Sequence, residues 1–165
     1  MRKIIVGVMG PGDNATTADL DNAYELGKRI AAEGWVLLTG GRNAGVMDAA
    51  SKGAKTAAGL TIGILGDNDT SAVSDAVDIA IVTDMGNGRN NINVLSSDVV
   101  IACGMGAGTA SEAALALKNG KKVVLLTDNQ ESQQFFTSLS PDSIFLAASP
   151  GTAIKFVKEI LIKHR

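Results

Sequence analysis

A chain of 165 residues can hold one full hydrophobic core and is short for two domains. Its 45% hydrophobic and 19% charged residues, with three prolines and no low-complexity run, exclude a disordered chain and predict one globular domain over residues 1–165. A net charge of −2 excludes the basic field of a nucleic-acid or anionic-membrane binder, so backbone amides and a few placed cations must hold any bound anion.

The first residues run into a strand without the apolar segment of a cleaved leader, and no stretch reaches the length of a membrane span. The single cysteine cannot form an internal disulfide, and the expected location is cytoplasmic. Lys3 to Met9 predicts the first strand, closed by Gly10-Pro11-Gly12. A helix follows from about Asp19, with Leu20, Ala23, Leu26, Ile30 and Ala31 near helical spacing and Gly34 as its stop. Trp35 to Thr39 reads as a second strand, with Trp35 in a packing role, ahead of Gly40-Gly41-Arg42. The helix from Gly45 is built of small residues suited to close helix contact, within or between chains.

Thr61 to Leu65 and Ile79 to Thr83 are further strands, joined by a polar loop. Gly86-Asn87-Gly88 feeds a short helix, Asp98 to Cys103 is a strand, and Gly104-Met-Gly-Ala-Gly108 opens a helix beginning near Thr109. Lys121 to Thr127, a helix around Ser132 to Leu139, the short strand Ser143 to Ala148 and a helix from Thr152 finish the chain. Apolar strands separated by helices predict an α/β fold: a Rossmann-like, doubly wound, mainly parallel sheet covered by helices on both faces.

The glycine clusters at Gly10–Gly12, Gly40-Gly41, Gly86–Gly88 and Gly104–Gly108 each follow the carboxyl end of a strand. In a parallel sheet those ends share one edge, where ligands bind at the reversal of strand order. The first turn reads Gly7-x-x-Gly10-x-Gly12, and the second strand ends in Thr39-Gly40-Gly41 without a ribose-binding acid, which disfavours a dinucleotide oxidoreductase. No lysine follows Gly108, which disfavours a P-loop. The single histidine, His164, lies in the tail, so neither a metal cluster nor a serine-type triad is expected. A single phosphate or similar small anion survives these exclusions.

Thr109 and Glu112 read two ways. Thr-x-x-Glu at a helix start is a capping box, each side chain satisfying the other residue's backbone N–H. Alternatively Thr109 binds the phosphate and Glu112 faces the ligand, accepting a hydrogen bond or doing acid–base work. Arg89, just past Gly88, offers a bidentate grip on phosphate, or pairs with Asp84. Arg42 is a weaker candidate that could be plain surface. Cys103 reads as a small buried hydrophobe, and the Lys118, Lys121 and Lys122 group as a solvated edge at the opposite end of the sheet.

The blocks "GVMGPG", "LLTGG…GVMDAASKGA", "RNNINVLSSDVVIACGMGAGTASEAALALK" and "KKVVLL" together resemble the molybdenum cofactor carrier proteins, in the Rossmann-like superfamily that includes the LONELY GUY phosphoribohydrolases. The likeness runs over nearly the whole chain. It implies a cytosolic homotetramer that binds molybdenum cofactor, a pterin with a dithiolene and one terminal phosphate, and passes it to molybdoenzymes such as nitrate reductase. By that match Gly106, Ala107, Gly108 and Thr109 hold the phosphate, with Glu112 beside it. Gly10, Gly12, Gly40, Gly41, Asn87 and Arg89 line the rest.

The phosphoribohydrolases supply the second reading, with Glu112 as acid–base residue and Arg89 as clamp; a nucleotide-sensing module is a third. Their signature is Pro-Gly-Gly-x-Gly-Thr-x-x-Glu with an upstream Arg-Lys pair. Here Gly104 stands for the proline, Met105 for a glycine, and Asn90 for the lysine. Relatives have also carried the label lysine decarboxylase, but nothing in this chain marks a pyridoxal-phosphate lysine site.

Overall fold

Runs of Val, Ile and Leu build seven strands in the computed structural model, which describes residues 2–163. They are β1 (Ile5–Met9), β2 (Val36–Thr39), β3 (Thr61–Leu65), β4 (Ile79–Val82), β5 (Val99–Cys103), β6 (Val123–Leu126) and β7 (Ile144–Leu146). The helices are α1 (Thr17–Ala32), α2 (Gly45–Thr56), α3 (Arg89–Ser96), α4 (Ala107–Lys118), α5 (Gln130–Leu139) and α6 (Pro150–Lys163). Most strands are shorter than their apolar runs because pairing, not hydropathy, sets their ends: Lys3, Trp35, Thr83, Asp98 and Lys121 lie outside the ladders. Four helices start two residues earlier than predicted, α1 at Thr17, α4 at Ala107, α5 at Gln130 and α6 at Pro150. His164 lies outside the described residues.

The strand order is β4-β3-β2-β1-β5-β6-β7, and every neighbouring pair is parallel. The chain winds outward from β1 to β4, then crosses back to set β5 against the other side of β1. This is a Rossmann-like sheet whose reversal lies between β1 and β5. Two-residue alternation divides its side chains between two cores. Val6, Val8, Val99, Ile101, Cys103, Val124 and Leu126 face α1, α2 and α6, while Met9, Val100, Ala102, Val123 and Leu125 face α3, α4 and α5.

The small-residue face of α2 is consumed within the chain. A methyl group on Gly27 would lie 1.9 Å from the Ala50 carbonyl oxygen, and one on Gly53 the same distance from that of Tyr24. Backbones at that separation leave no space for a Cβ, so α1 and α2 are locked along their length. Trp35 packs half-buried against this core. At the other end of the sheet, Lys121 Nζ donates to the Ser97 carbonyl at 2.5 Å and Lys122 Nζ to that of Asp142 at 2.9 Å.

β4 departs from the expectation of a sheet covered on both faces. No helix lies between β3 and β4, so no layer covers this edge, and Ile79, Ile81 and Val82 are exposed.

Candidate functional site

Three turns converge where the strand order reverses, and their amides are used unequally. After β1, the Pro11 carbonyl accepts the Val46 amide at 3.0 Å, and a Cβ on Gly45 (φ +51°) would stand 2.1 Å from the Gly12 carbonyl oxygen. The start of α2 is thus turned onto the chain itself. After β5, Gly104 takes φ +77°, and its missing side chain makes room for the Asp19 carboxylate, 2.7 Å from where a Cβ would sit.

The N-cap of α4 is Gly106, extended at φ −156°, with no side-chain cap. The first intrahelical bond runs from the Ala110 amide to the Gly106 carbonyl at 2.8 Å. The amides of Ala107, Gly108 and Thr109 therefore precede the helical ladder and carry the positive end of its dipole. Among the described residues no side chain or turn carbonyl accepts from these amides, and a Cβ on Gly108 would meet nothing within 4 Å, so the helix end stands open.

The capping-box reading is overturned here. Because α4 starts at Ala107, Thr109 and Glu112 are its third and sixth residues, not its cap and third. Thr109 Oγ1 is buried without a partner, and Glu112 bonds elsewhere: its Oε2 accepts from Asn93 Nδ2 at 3.0 Å.

A cavity of about 360 Å³ opens over this helix end. From α4 and its turn, Gly106, Ala107, Gly108, Thr109 and Glu112 line it; from the other turns come Gly10, Gly12, Gly40, Asn87 and Arg89. Gly41 does not line it. At φ +77° it packs onto β3, where a Cβ would be 2.8 Å from Gly63 Cα. Arg42, weighed as surface, does line the wall.

Arg89 is fixed by carbonyls rather than by Asp84. Its Nη1 donates to the carbonyls of Gly40 at 2.6 Å and Ile64 at 2.9 Å, at the ends of β2 and β3. A Cβ on Gly40 would lie 2.7 Å from Met47 Sδ and 3.3 Å from Arg89 Nη2, so the bare glycine leaves room for both side chains. Burial lowers the Arg89 pKa, the charge of Glu112 opposes that effect, and Arg42 adds to it. Among the described residues Nη2 and Nε make no hydrogen bond, which leaves one side of the fork free for an anion.

Burial pushes the Glu112 carboxyl up to about 7, against the Asn93 hydrogen bond and the charge of Arg89. A carboxyl so poised exchanges a proton near neutral pH and does not carry a full negative charge beside a bound anion. The cavity wall carries two arginines and no lysine. Asn90, at the position of the missing lysine, donates through Nδ2 to Ser111 Oγ at 2.8 Å. Cys103 is buried, its thiol pushed up to about 12 by that burial, and is chemically quiet. Among the described residues no group of His, Cys, Asp and Glu is placed to hold a metal.

Asn93 is a buried polar residue of the cavity wall that the sequence did not single out. It is buried, holds Glu112, and its Oδ1 has no partner. The signal was available, since Asn93 lies four residues after Arg89 and so shares its helix face. Asp13, Asn14, Met9, Met47 and Met105 also line the cavity and carry no local pattern.

The SLOG cluster4 family matches residues 3–154. The molybdenum cofactor binding protein of Rippkaea orientalis is 65% identical, with 98% of this chain and 99% of that one covered at a TM-score of 0.96. The molybdenum cofactor carrier protein of Chlamydomonas reinhardtii is 55% identical over the same shares at a TM-score of 0.93. An uncharacterized protein of Archaeoglobus fulgidus is 45% identical over 126 residues, 76% of this chain and 82% of its own length. The chain thus belongs to the SLOG cluster4 family, and its solved relatives at 55–65% identity are molybdenum cofactor binding and carrier proteins.

Proposed function

We propose that this chain binds molybdenum cofactor, stores it and passes it to the enzymes that use it. The terminal phosphate rests on the amides of Ala107, Gly108 and Thr109, with the Thr109 hydroxyl and the free side of Arg89 completing the seat. The pterin then lies along Gly10, Gly12, Gly40 and Asn87. The observation that carries this reading is the uncapped start of α4: open amides, an unpartnered buried hydroxyl and no side chain over Gly108. Each buried polar group left without a partner costs about 1–3 kcal/mol, so Thr109 Oγ1 is best explained by a ligand that supplies one.

The dithiolene of the bound cofactor supplies the metal ligands, and the chain's own residues bind, orient and shield. Several charge-assisted hydrogen bonds of roughly 1.5–3 kcal/mol each reach micromolar affinity, about −8 kcal/mol, after immobilisation. A carrier gains nothing from a tighter grip, because it must release. Exposed Ile79, Ile81 and Val82 on β4 support burial of that edge against another copy, in a homotetramer. No helix among the described residues is long and apolar enough to cross a membrane, and the proposed place of work is the cytoplasm.

Purified protein incubated with the cofactor retains pterin fluorescence after oxidation and activates cofactor-free nitrate reductase; failure of both ends the carrier reading. Release of adenine from AMP, lost in Glu112→Gln, is the result that would establish a phosphoribohydrolase instead. Against that outcome stands Asn90, which occupies the lysine position and is already bonded to Ser111.

A further inference from the structure

On the far side of Arg89 lies a second cavity of about 210 Å³, walled by Arg42, Gly66, Asp67, Gly86, Asn87 and Arg89. Arg42, Asn87 and Arg89 also line the first cavity, so the two adjoin along these three residues as chambers of one site. The second chamber adds a carboxylate. Asp67 joins none of the ion pairs among the described residues, yet its charge reaches Arg89 and favours the guanidinium.

The backbone that carries Asp67 is pinned. The Asp84 amide donates to the Asp67 carbonyl at 3.1 Å and the Gly86 amide to the Gly66 carbonyl at 2.9 Å. A Cβ on Gly66 would lie 2.7 Å from the Gly86 carbonyl oxygen, so the two turns close on each other as bare backbone. Asp84 itself is held at φ +53°, a left-handed conformation uncommon for a residue other than glycine.

A second phosphate would meet the negative charge of Asp67, and an apolar group would leave these charges without partners. A carboxylate acceptor beside guanidinium and amide donors instead matches a planar ring that presents adjacent N–H donors and a carbonyl oxygen. That is the 2-amino-4-oxopyrimidine edge, shared by pterins and guanine. We infer that the second chamber reads this edge: Asp67 accepts from the ring N–H and the exocyclic amine, while Arg42 and Asn87 donate to the ring oxygen. The ligand then runs from the phosphate seat at α4, past Arg89, to Asp67. The inference rests on the carrier reading for the identity of the ring.

Calorimetric titration of the wild type and Asp67→Asn tests it, with 6-hydroxymethylpterin monophosphate, its lumazine counterpart (oxygen in place of the 2-amino group), GMP and inorganic phosphate. The wild type prefers the pterin to the lumazine by about 10- to 100-fold, Asp67→Asn erases the preference, and both bind inorganic phosphate alike. Binding of GMP with the same dependence on Asp67 supports the edge with guanine as its source; its exclusion supports the pterin. Equal pterin affinity in both proteins, with phosphate binding intact, overturns the inference and leaves the carrier reading standing. Absence of binding of every probe by the wild type overturns both.

Discussion

The N-termini of α1 and α4 lie beyond the ends of adjacent strands, β1 and β5, yet the chain finishes them differently. At α1 the Asp19 amide donates to Thr16 Oγ1 at 3.1 Å and the Thr16 amide to Asp19 Oδ2 at 3.0 Å, a reciprocal capping box made by the protein itself. At α4 a glycine stands in the cap position, the next turn is open, and the buried Thr109 hydroxyl has no partner. Both helices have the same orphan amides and the same dipole. Withholding the cap, rather than possessing the helix, is what makes α4 a candidate anion seat.

The largest effect is expected from closing the open end. Gly108→Val places a branched side chain over the amides where a Cβ now has open space. Affinity for a phosphorylated pterin falls about 100-fold or more, while the melting temperature stays near that of the wild type. Retained affinity in a titration places the phosphate elsewhere.

Glu112→Gln comes next and is read against pH. Burial holds the folded carboxyl at about 7 against an ordinary 4.5. Below the ordinary value both states are protonated and the stability is complete. Between the two values the unfolded chain ionises while the folded one stays protonated, so stability falls as pH rises, by up to about 3 kcal/mol, and levels off above about 7. The glutamine variant keeps the Asn93 contact and carries no such proton, so its stability curve is flat from about pH 5 to 8. Parallel wild-type and variant curves in denaturant titrations across that window dispose of this account.

This contrast also marks where the sequence could be read. Strands and turns were legible because apolar runs and glycine clusters are local signals, and Gly106, Gly108 and Arg89 fell on the cavity for that reason. The Thr-x-x-Glu spacing left two readings open because its meaning depends on register. With α4 beginning at Ala107, the pattern that would cap a helix from Thr109 instead aims both side chains inward. Gly41 was grouped with Gly40 by adjacency, although a positive φ turned it onto Gly63. Asn93 became visible only when α3 packed on α4, and the exposure of β4 only when the strand order put it at the sheet edge, although the polar loop before it was legible. Those are contacts between distant segments, which no local pattern records.

Thr109→Val sharpens the comparison at smaller cost. Removing a buried hydroxyl that has no partner leaves the stability of the free protein unchanged or slightly raised. Ligand affinity drops about tenfold, the share of one charge-assisted hydrogen bond. A loss of stability without loss of affinity in paired melting and binding experiments identifies Thr109 as a structural residue.

The smallest effect belongs to the other helix. Thr16→Ala breaks the capping box and costs about 1 kcal/mol, roughly 2–4 °C in melting temperature for a domain of this size. Ligand affinity stays at the wild-type value, because Thr16 does not line the cavity. Asp19 is the wrong residue for this control. Its carboxylate also fills the notch left by Gly104, so its replacement disturbs the turn that leads into α4 as well as the cap of α1. A fall in affinity in Thr16→Ala equal to that in Thr109→Val would mean that the two helix ends are coupled through that notch, and the anion seat would then extend to α1.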